Sequence, residues 1–98
     1  MIHNFVSTRN LVEFVGTYLF LLVVILTGDR FAIAATLGLL IHFFGSISGG
    51  NFNPAVTIMM VMAKKQPYTD LIPYIILQIL GGCLAYQTYS FLSRNKYI

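Results

Sequence analysis

Four apolar runs of unequal length, separated by short polar breaks, constrain this chain more than any other feature. Leu11 to Thr27 is the first and ends at Gly28-Asp29-Arg30. Phe31 to about Phe44 is the second and gives way to Gly45-Ser46-Ile47-Ser48-Gly49-Gly50. Pro54 to Ala63 is the third, closed by Lys64-Lys65-Gln66-Pro67, and Leu71 to Leu92 is the last. A helix that crosses a bilayer needs roughly 17–25 apolar residues. The first and last runs meet that length, and the second meets it marginally. The third would rise only about 15 Å, about half the hydrocarbon thickness. A short apolar helix behind a glycine-rich stretch reads as a re-entrant half-helix. Irregular backbone survives at membrane depth only where protein buries it or where it lines a watery cavity. The pattern predicts an all-α membrane protein in one unit, 1–98. It has three transmembrane helices, over about 11–27, 31–44 and 71–92, and one re-entrant half-helix over 54–63.

Composition supports lipid as the solvent. Hydrophobic residues make up 57% of the 98 positions and charged residues 9%, with a mean hydropathy of +0.78. A soluble domain of this size could not bury so much apolar surface. The net charge of +3 is small and its carriers are scattered, with no basic run beyond Lys64-Lys65. That excludes a nucleic-acid partner bound through its phosphates. Arg9 before an apolar run resembles the start of a secretion signal, but Glu13 interrupts the run and Thr27-Gly28-Asp29 is a poor cleavage site. Cys83 has no partner cysteine and reads as a small buried hydrophobe. His3 and His42 are far apart and lack ligands at helical spacing, so no metal is expected. No nucleophile–base pair or phosphate loop is visible, and neither an enzyme nor a cofactor is expected.

Polar and small residues inside the spans fall into stripes. Glu13, Gly16, Thr17 and Phe20 share one face of the first helix. Gln78, Gly81, Gly82 and Ala85 do the same on the last. Small residues let backbones approach closely, and an ionisable group within a span faces the protein interior. Glu13 is therefore expected to accept hydrogen bonds from the irregular backbone of residues 45–53, with Gln78 as a second polar support.

The tripeptide Asn53-Pro54-Ala55 stands at the head of the short helix. Asn is a favoured N-cap and Pro a favoured first helical residue. The N-terminal end carries about half a positive charge, and the Asn53 amide can direct donors into a cavity. Near mid-membrane such an end orients water by its oxygen and repels cations. Lys64 and Lys65 fall at the other end, where cations complement the dipole.

Ser48-Gly49-Gly50-Asn51-Phe52-Asn53-Pro54-Ala55-Val56-Thr57 resembles the first signature loop of the major intrinsic proteins, the aquaporins and aquaglyceroporins. Glu13-Phe14-Val15-Gly16-Thr17 resembles their first-helix motif, and Tyr74 with Gln78 and Gly81 resembles the start of their third helix. The resemblance implies a passive channel for water or small neutral solutes such as glycerol. It implies that Asn53, Pro54 and Ala55 form the central constriction and that the carbonyls of Gly49, Gly50, Asn51 and Phe52 line the pore. Ile33 takes the second-helix position of the outer filter, Leu37 lies a turn further along that wall, and Phe20 lines the pore from the first helix. His42 lies off the Ile33–Leu37 face and is expected to pack. Ser46 and Asn51 stand where many members of the family carry His, and aliphatic Ile33 stands where water-selective members often carry an aromatic.

Family members have two inverted repeats, and the resemblance covers one. A single copy is expected to leave the polar stripes and the positive end of the half-helix facing lipid, so a second half-repeat is required. That partner is a second copy of the chain, antiparallel, or a separate chain, within a higher oligomer in a plasma or inner membrane. With the N-terminus cytoplasmic, as the resemblance implies, Arg9, Lys64 and Lys65 lie inside and Arg30, Arg94 and Lys96 outside. No positive-inside bias remains. The second repeat of the family carries Arg directly after its Asn-Pro-Ala, where this chain has Val56. Two alternatives to a channel follow: a non-conducting half-subunit that pairs with a full-length relative, or the truncated product of a split channel gene.

Overall fold

The fold comes from a computed structural model that describes residues 7–98; His3 lies outside the described residues. The element order is α1 (Thr8–Thr27), α2 (Arg30–Ser48), α3 (Pro54–Met62), a 3₁₀ turn (Tyr68–Asp70) and α4 (Leu71–Arg94). Among the described residues, three helical stretches are long and apolar enough to cross a membrane: Thr8–Thr27, Arg30–Ser48 and Tyr68–Arg94. At 1.5 Å per residue α1 is about 30 Å long, matching the hydrocarbon core. The nine residues of α3 reach about 13 Å, less than half of it.

The helix boundaries follow from the caps. Ser7 accepts from the Asn10 amide at 3.3 Å, and Asp29 accepts from the Ala32 amide at 2.8 Å. α2 extends four residues past the sequence-based end at Phe44, through Gly45 and on to Ser48. One glycine weakens a helix interior by about 1 kcal/mol, too little to stop it. Gly49 does stop it: its φ of 92° leaves the right-handed region, and its N–H closes on the Gly45 carbonyl at 2.8 Å. α4 ends two residues later than expected, and Pro73 is tolerated because it falls in the first turn.

α1 and α4 form the centre of the fold, with α2 along α1 and the half-helix α3 along α4. The close approach of α1 and α4 depends on Gly81. A Cβ built there would lie 2.8 Å from the Phe14 carbonyl oxygen and 3.1 Å from the Tyr18 nitrogen. Further along the same seam, the Tyr18 and Thr88 hydroxyls meet at 2.9 Å.

The buried set is unusual for its polarity. Glu13, Thr17, Ser48, Asn51, Thr57 and Gln78 are buried, whereas Phe31, Phe43, Met62 and Ile72 lie on the surface. That inversion is what a lipid solvent requires, because apolar side chains can face it and polar ones must find partners inside. It also corrects one expectation. The polar stripes of α1 and α4 do not face lipid in a single repeat; they face each other, with Gln78 bonded to Glu13 and Gly81 against Thr17, while Gly16 lies under the Phe52 ring. Cys83 corrects another: it is exposed. It sits two residues past Gly81, about 200° around the helix, and so points away from the seam.

Candidate functional site

Asn53 caps α3 as its residue type predicts. Its side-chain oxygen accepts from the Ala55 amide at 2.8 Å, its carbonyl accepts from the Thr57 amide at 3.1 Å, and Pro54 occupies the first turn. Asn53 and Ala55 are exposed and Pro54 is half-buried. The side-chain oxygen is engaged by the cap, while the side-chain nitrogen donates to no group among the described residues. Two N–H donors thus project from the positive end of a half-length helix.

Behind this exposed end lies a buried polar knot centred on Glu13, which has no solvent-accessible surface. One carboxylate oxygen accepts from the Ser48 hydroxyl at 2.7 Å and the Asn51 amide at 3.1 Å. The other accepts from the Phe52 amide and the Gln78 side chain, both at 2.8 Å. Four donors from three parts of the chain therefore converge on one carboxylate. Such charge-assisted bonds are roughly twice as strong as neutral ones, and they offset burial of the group.

Thr57 extends the knot to the half-helix. Its hydroxyl accepts from Gln78 at 2.8 Å and from the Asn51 side chain at 2.9 Å, and it faces the Asn53 carbonyl at 3.3 Å. Asn51 also donates to Gln66 at 2.8 Å, Gln66 donates to Asp70 at 3.0 Å, and Arg9 grips both Asp70 oxygens at 3.1 and 2.7 Å. The Tyr74 hydroxyl donates to the Ser48 carbonyl at 2.6 Å. The segment 48–53 is thus tied to α1, α3 and α4.

Within that segment Phe52 adopts a φ of 53°, a left-handed conformation that a bulky residue rarely takes. Strain of this kind is of order 1–3 kcal/mol and persists where surroundings over-determine it. Here the N–H is fixed by Glu13 and the buried ring covers Gly16, where any Cβ would collide with the ring. Two buried side-chain oxygens near the seam, Thr17 Oγ1 and Gln78 Oε1, have no hydrogen-bond partner among the described residues.

The structure brings together Glu13, Gln78, Asn51 and Phe52 from the sequence-derived set, and places Asn53 one residue beyond them. The carbonyls of Gly49, Gly50, Asn51 and Phe52 accept no hydrogen bond among the described residues. Ile33 and Leu37 lie a turn apart on α2 and, like Phe20, are half-buried. They do not line the cleft of about 290 Å³ beside Gly49, whose walls include Arg9, Ser48, Asn51 and Gln66. His42 is exposed and packs edge-on against Phe43. Sequence reasoning missed the side-chain roles of Ser48, Asn51, Thr57, Gln66 and Asp70. Only the i, i+4 spacing of Gln66 and Asp70 hinted at one of these pairs.

A family model described as "Major intrinsic protein" matches residues 26–96. The chain belongs to the major intrinsic protein family. Its relatives within that family include "Glycerol uptake facilitator protein-like 6" of Lactiplantibacillus plantarum, 44% identical over 86 residues, which cover 79% of this chain and 40% of the relative. "Aquaporin AqpM" of Methanothermobacter thermautotrophicus is 51% identical over 55 residues, covering 56% of this chain and 21% of the relative. "Aquaporin Z" of Brucella melitensis is 41% identical over 58 residues, covering 59% and 25%. The chain therefore spans well under half the length of the curated relatives it matches. No solved structure matches. With three membrane-crossing helices and this family, the chain is a multi-pass integral membrane protein.

Proposed function

We propose that this chain supplies one half of a passive channel for water or a small neutral solute such as glycerol, with Asn53-Pro54-Ala55 at the central constriction. One observation carries the reading: Asn53 stands exposed at the positive end of a half-length helix, its amide donors unused among the described residues, while the loop behind it is tied to the buried Glu13 carboxylate. A permeating molecule would give its oxygen to those donors and its hydrogens to the open carbonyls of residues 49–52. The half-helix dipole would oppose cations, and the channel needs no bound cofactor or bond chemistry. Relatives named as aquaporins and as a glycerol uptake facilitator support a permeant of this class.

α3 reaches less than half of the bilayer core, so a second half-repeat is needed to complete the constriction, in a membrane-embedded oligomer. The test is stopped-flow swelling of vesicles that hold this chain with the portion of the Lactiplantibacillus plantarum relative that it does not match. Water or glycerol permeability above that of empty vesicles is expected, and permeability equal to empty vesicles refutes the channel. Val56, beside the constriction, favours a second reading: a non-conducting half-subunit that pairs with a full-length relative. In that case the chain would bind the intact relative without adding permeability.

A further inference from the structure

We propose that Asn51 is a positioning residue for the Asn53 constriction: together with Gln66 it locks the head and the tail of α3 and fixes where the Asn53 donors point. The proposal rests on the half-channel reading above and deepens it.

The tail of α3 turns back on itself. Lys64 takes a φ of 59°, a left-handed conformation at a place where helix ends usually carry glycine. Its N–H donates to the Val61 carbonyl at 3.0 Å, and the Lys65 N–H donates to the Met60 carbonyl at 2.9 Å. This reversal sends the chain back along α3 and brings the Gln66 side chain beside that of Thr57, so that one donor serves both. Strain at a non-glycine residue persists where its surroundings over-determine it. Here the bonds of Gln66 to Asn51 and to Asp70 hold the turn closed.

Asn51 is the donor. An amide nitrogen carries two hydrogens. The buried Asn51 spends one on Thr57 Oγ1 at 2.9 Å, near the head of α3, and the other on Gln66 Oε1 at 2.8 Å, past its tail. Its backbone N–H donates to Glu13 at 3.1 Å. A single side chain thus ties both ends of the half-helix to a point anchored on α1.

Packing alone does not set the direction of α3. The half-helix lies chiefly along α4, and the Gln78 bond to Thr57 also comes from α4, so both allow α3 to tilt against the signature loop. A tilt of about 10° about the tail of a helix about 13 Å long carries its head about 2 Å. A binding constellation must be held within about 0.5 Å. Asn51 supplies the missing restraint because it reaches α3 from the loop rather than from α4. Gln66 passes that restraint on to Asp70 and Arg9, where α1 meets the start of α4.

The experiment measures the distance between two spin labels in membranes, one on Cys83, which is exposed on α4, and one on Ala55→Cys at the head of α3. The parent should give a narrow distance distribution. Asn51→Ala and Gln66→Ala, with helix content intact, should each shift or broaden it by about 2 Å. The double variant should add little to Asn51→Ala, because both changes open one lock. Tyr18→Phe, which removes a hydrogen bond to Thr88 elsewhere on the α1–α4 seam, should leave the distribution narrow. A narrow distribution in Asn51→Ala would overturn the proposal, and so would equal broadening in Tyr18→Phe. The unlabelled variants are then paired with the unmatched portion of the Lactiplantibacillus plantarum relative in the swelling assay. Asn51→Ala and Gln66→Ala should each show a several-fold loss of water permeability against the parent. Parental permeability despite a broadened distribution overturns the positioning role and leaves the half-channel reading standing. No permeability from the parent pairing brings down the half-channel reading, and this proposal with it.

Discussion

Replacing Glu13 with alanine should unfold the signature loop. The carboxylate accepts from Ser48, Asn51, Phe52 and Gln78, and all four lie where water does not reach. After the substitution the Ser48 hydroxyl can rotate to another acceptor, and the Gln78 amide keeps Thr57. The Asn51 and Phe52 backbone N–H groups have no such recourse. A stranded buried donor costs about 1–3 kcal/mol, so Glu13→Ala is expected to lose about 2–6 kcal/mol. Glu13→Gln keeps one acceptor oxygen and should lose less. The assay is reversible unfolding of the reconstituted chain followed by circular dichroism, with proteolysis between residues 49 and 53 as a local reporter. Glu13→Ala should melt early and be cut in the loop before the helices are lost. A Glu13→Ala chain within about 1 kcal/mol of the parent, with its loop protected, would refute the claim that the carboxylate organises the loop.

Other outcomes follow from the same contacts. Gly81→Ala should destabilise by about 1–3 kcal/mol, because its Cβ meets the Phe14 backbone at 2.8 Å; Gly82→Ala, which meets only the Leu21 side chain at 3.1 Å, should lose clearly less in the same melt. Asn53→Ala removes the cap on Ala55 and should lower stability by about 1 kcal/mol, whereas Asn53→Asp keeps the cap and should restore it. Arg9→Ala should lose at most about 1 kcal/mol, because the Arg9 side chain is 46% exposed, and the difference from the parent should shrink in high salt.

The runs of apolar residues announced the helices because length against bilayer thickness is a coarse test that a sequence can pass or fail. Asn53-Pro54 announced the half-helix because cap and proline preferences are local. The true end of α2 was hidden, since Gly45 looks like a stop while Gly49 is one, and only the backbone torsion separates them. The fate of the stripes was hidden too. Periodicity shows that Glu13, Gly16 and Thr17 share a face with one another, but it does not show that Gln78 and Gly81 come to meet them. Asn51, Thr57 and Gln66 were unreadable for a related reason: each is an ordinary polar residue whose role exists only once segments far apart in the chain touch. Cys83 was misplaced because its apolar neighbours say that it is in a span, not which way it faces.

The Glu13 knot has a consequence for synthesis. Its acceptor emerges from the ribosome with α1, but its donors arrive 35, 38, 39 and 65 residues later. At roughly 5–20 residues per second the last donor trails by about 3–13 s. Until residues 48–52 appear the nascent helix carries an unmet carboxylate toward the bilayer, and its fourth donor comes only with α4. α1 is therefore secured in full only after α4 is made, and a pause before residue 78 would hold this repeat at an unfinished stage.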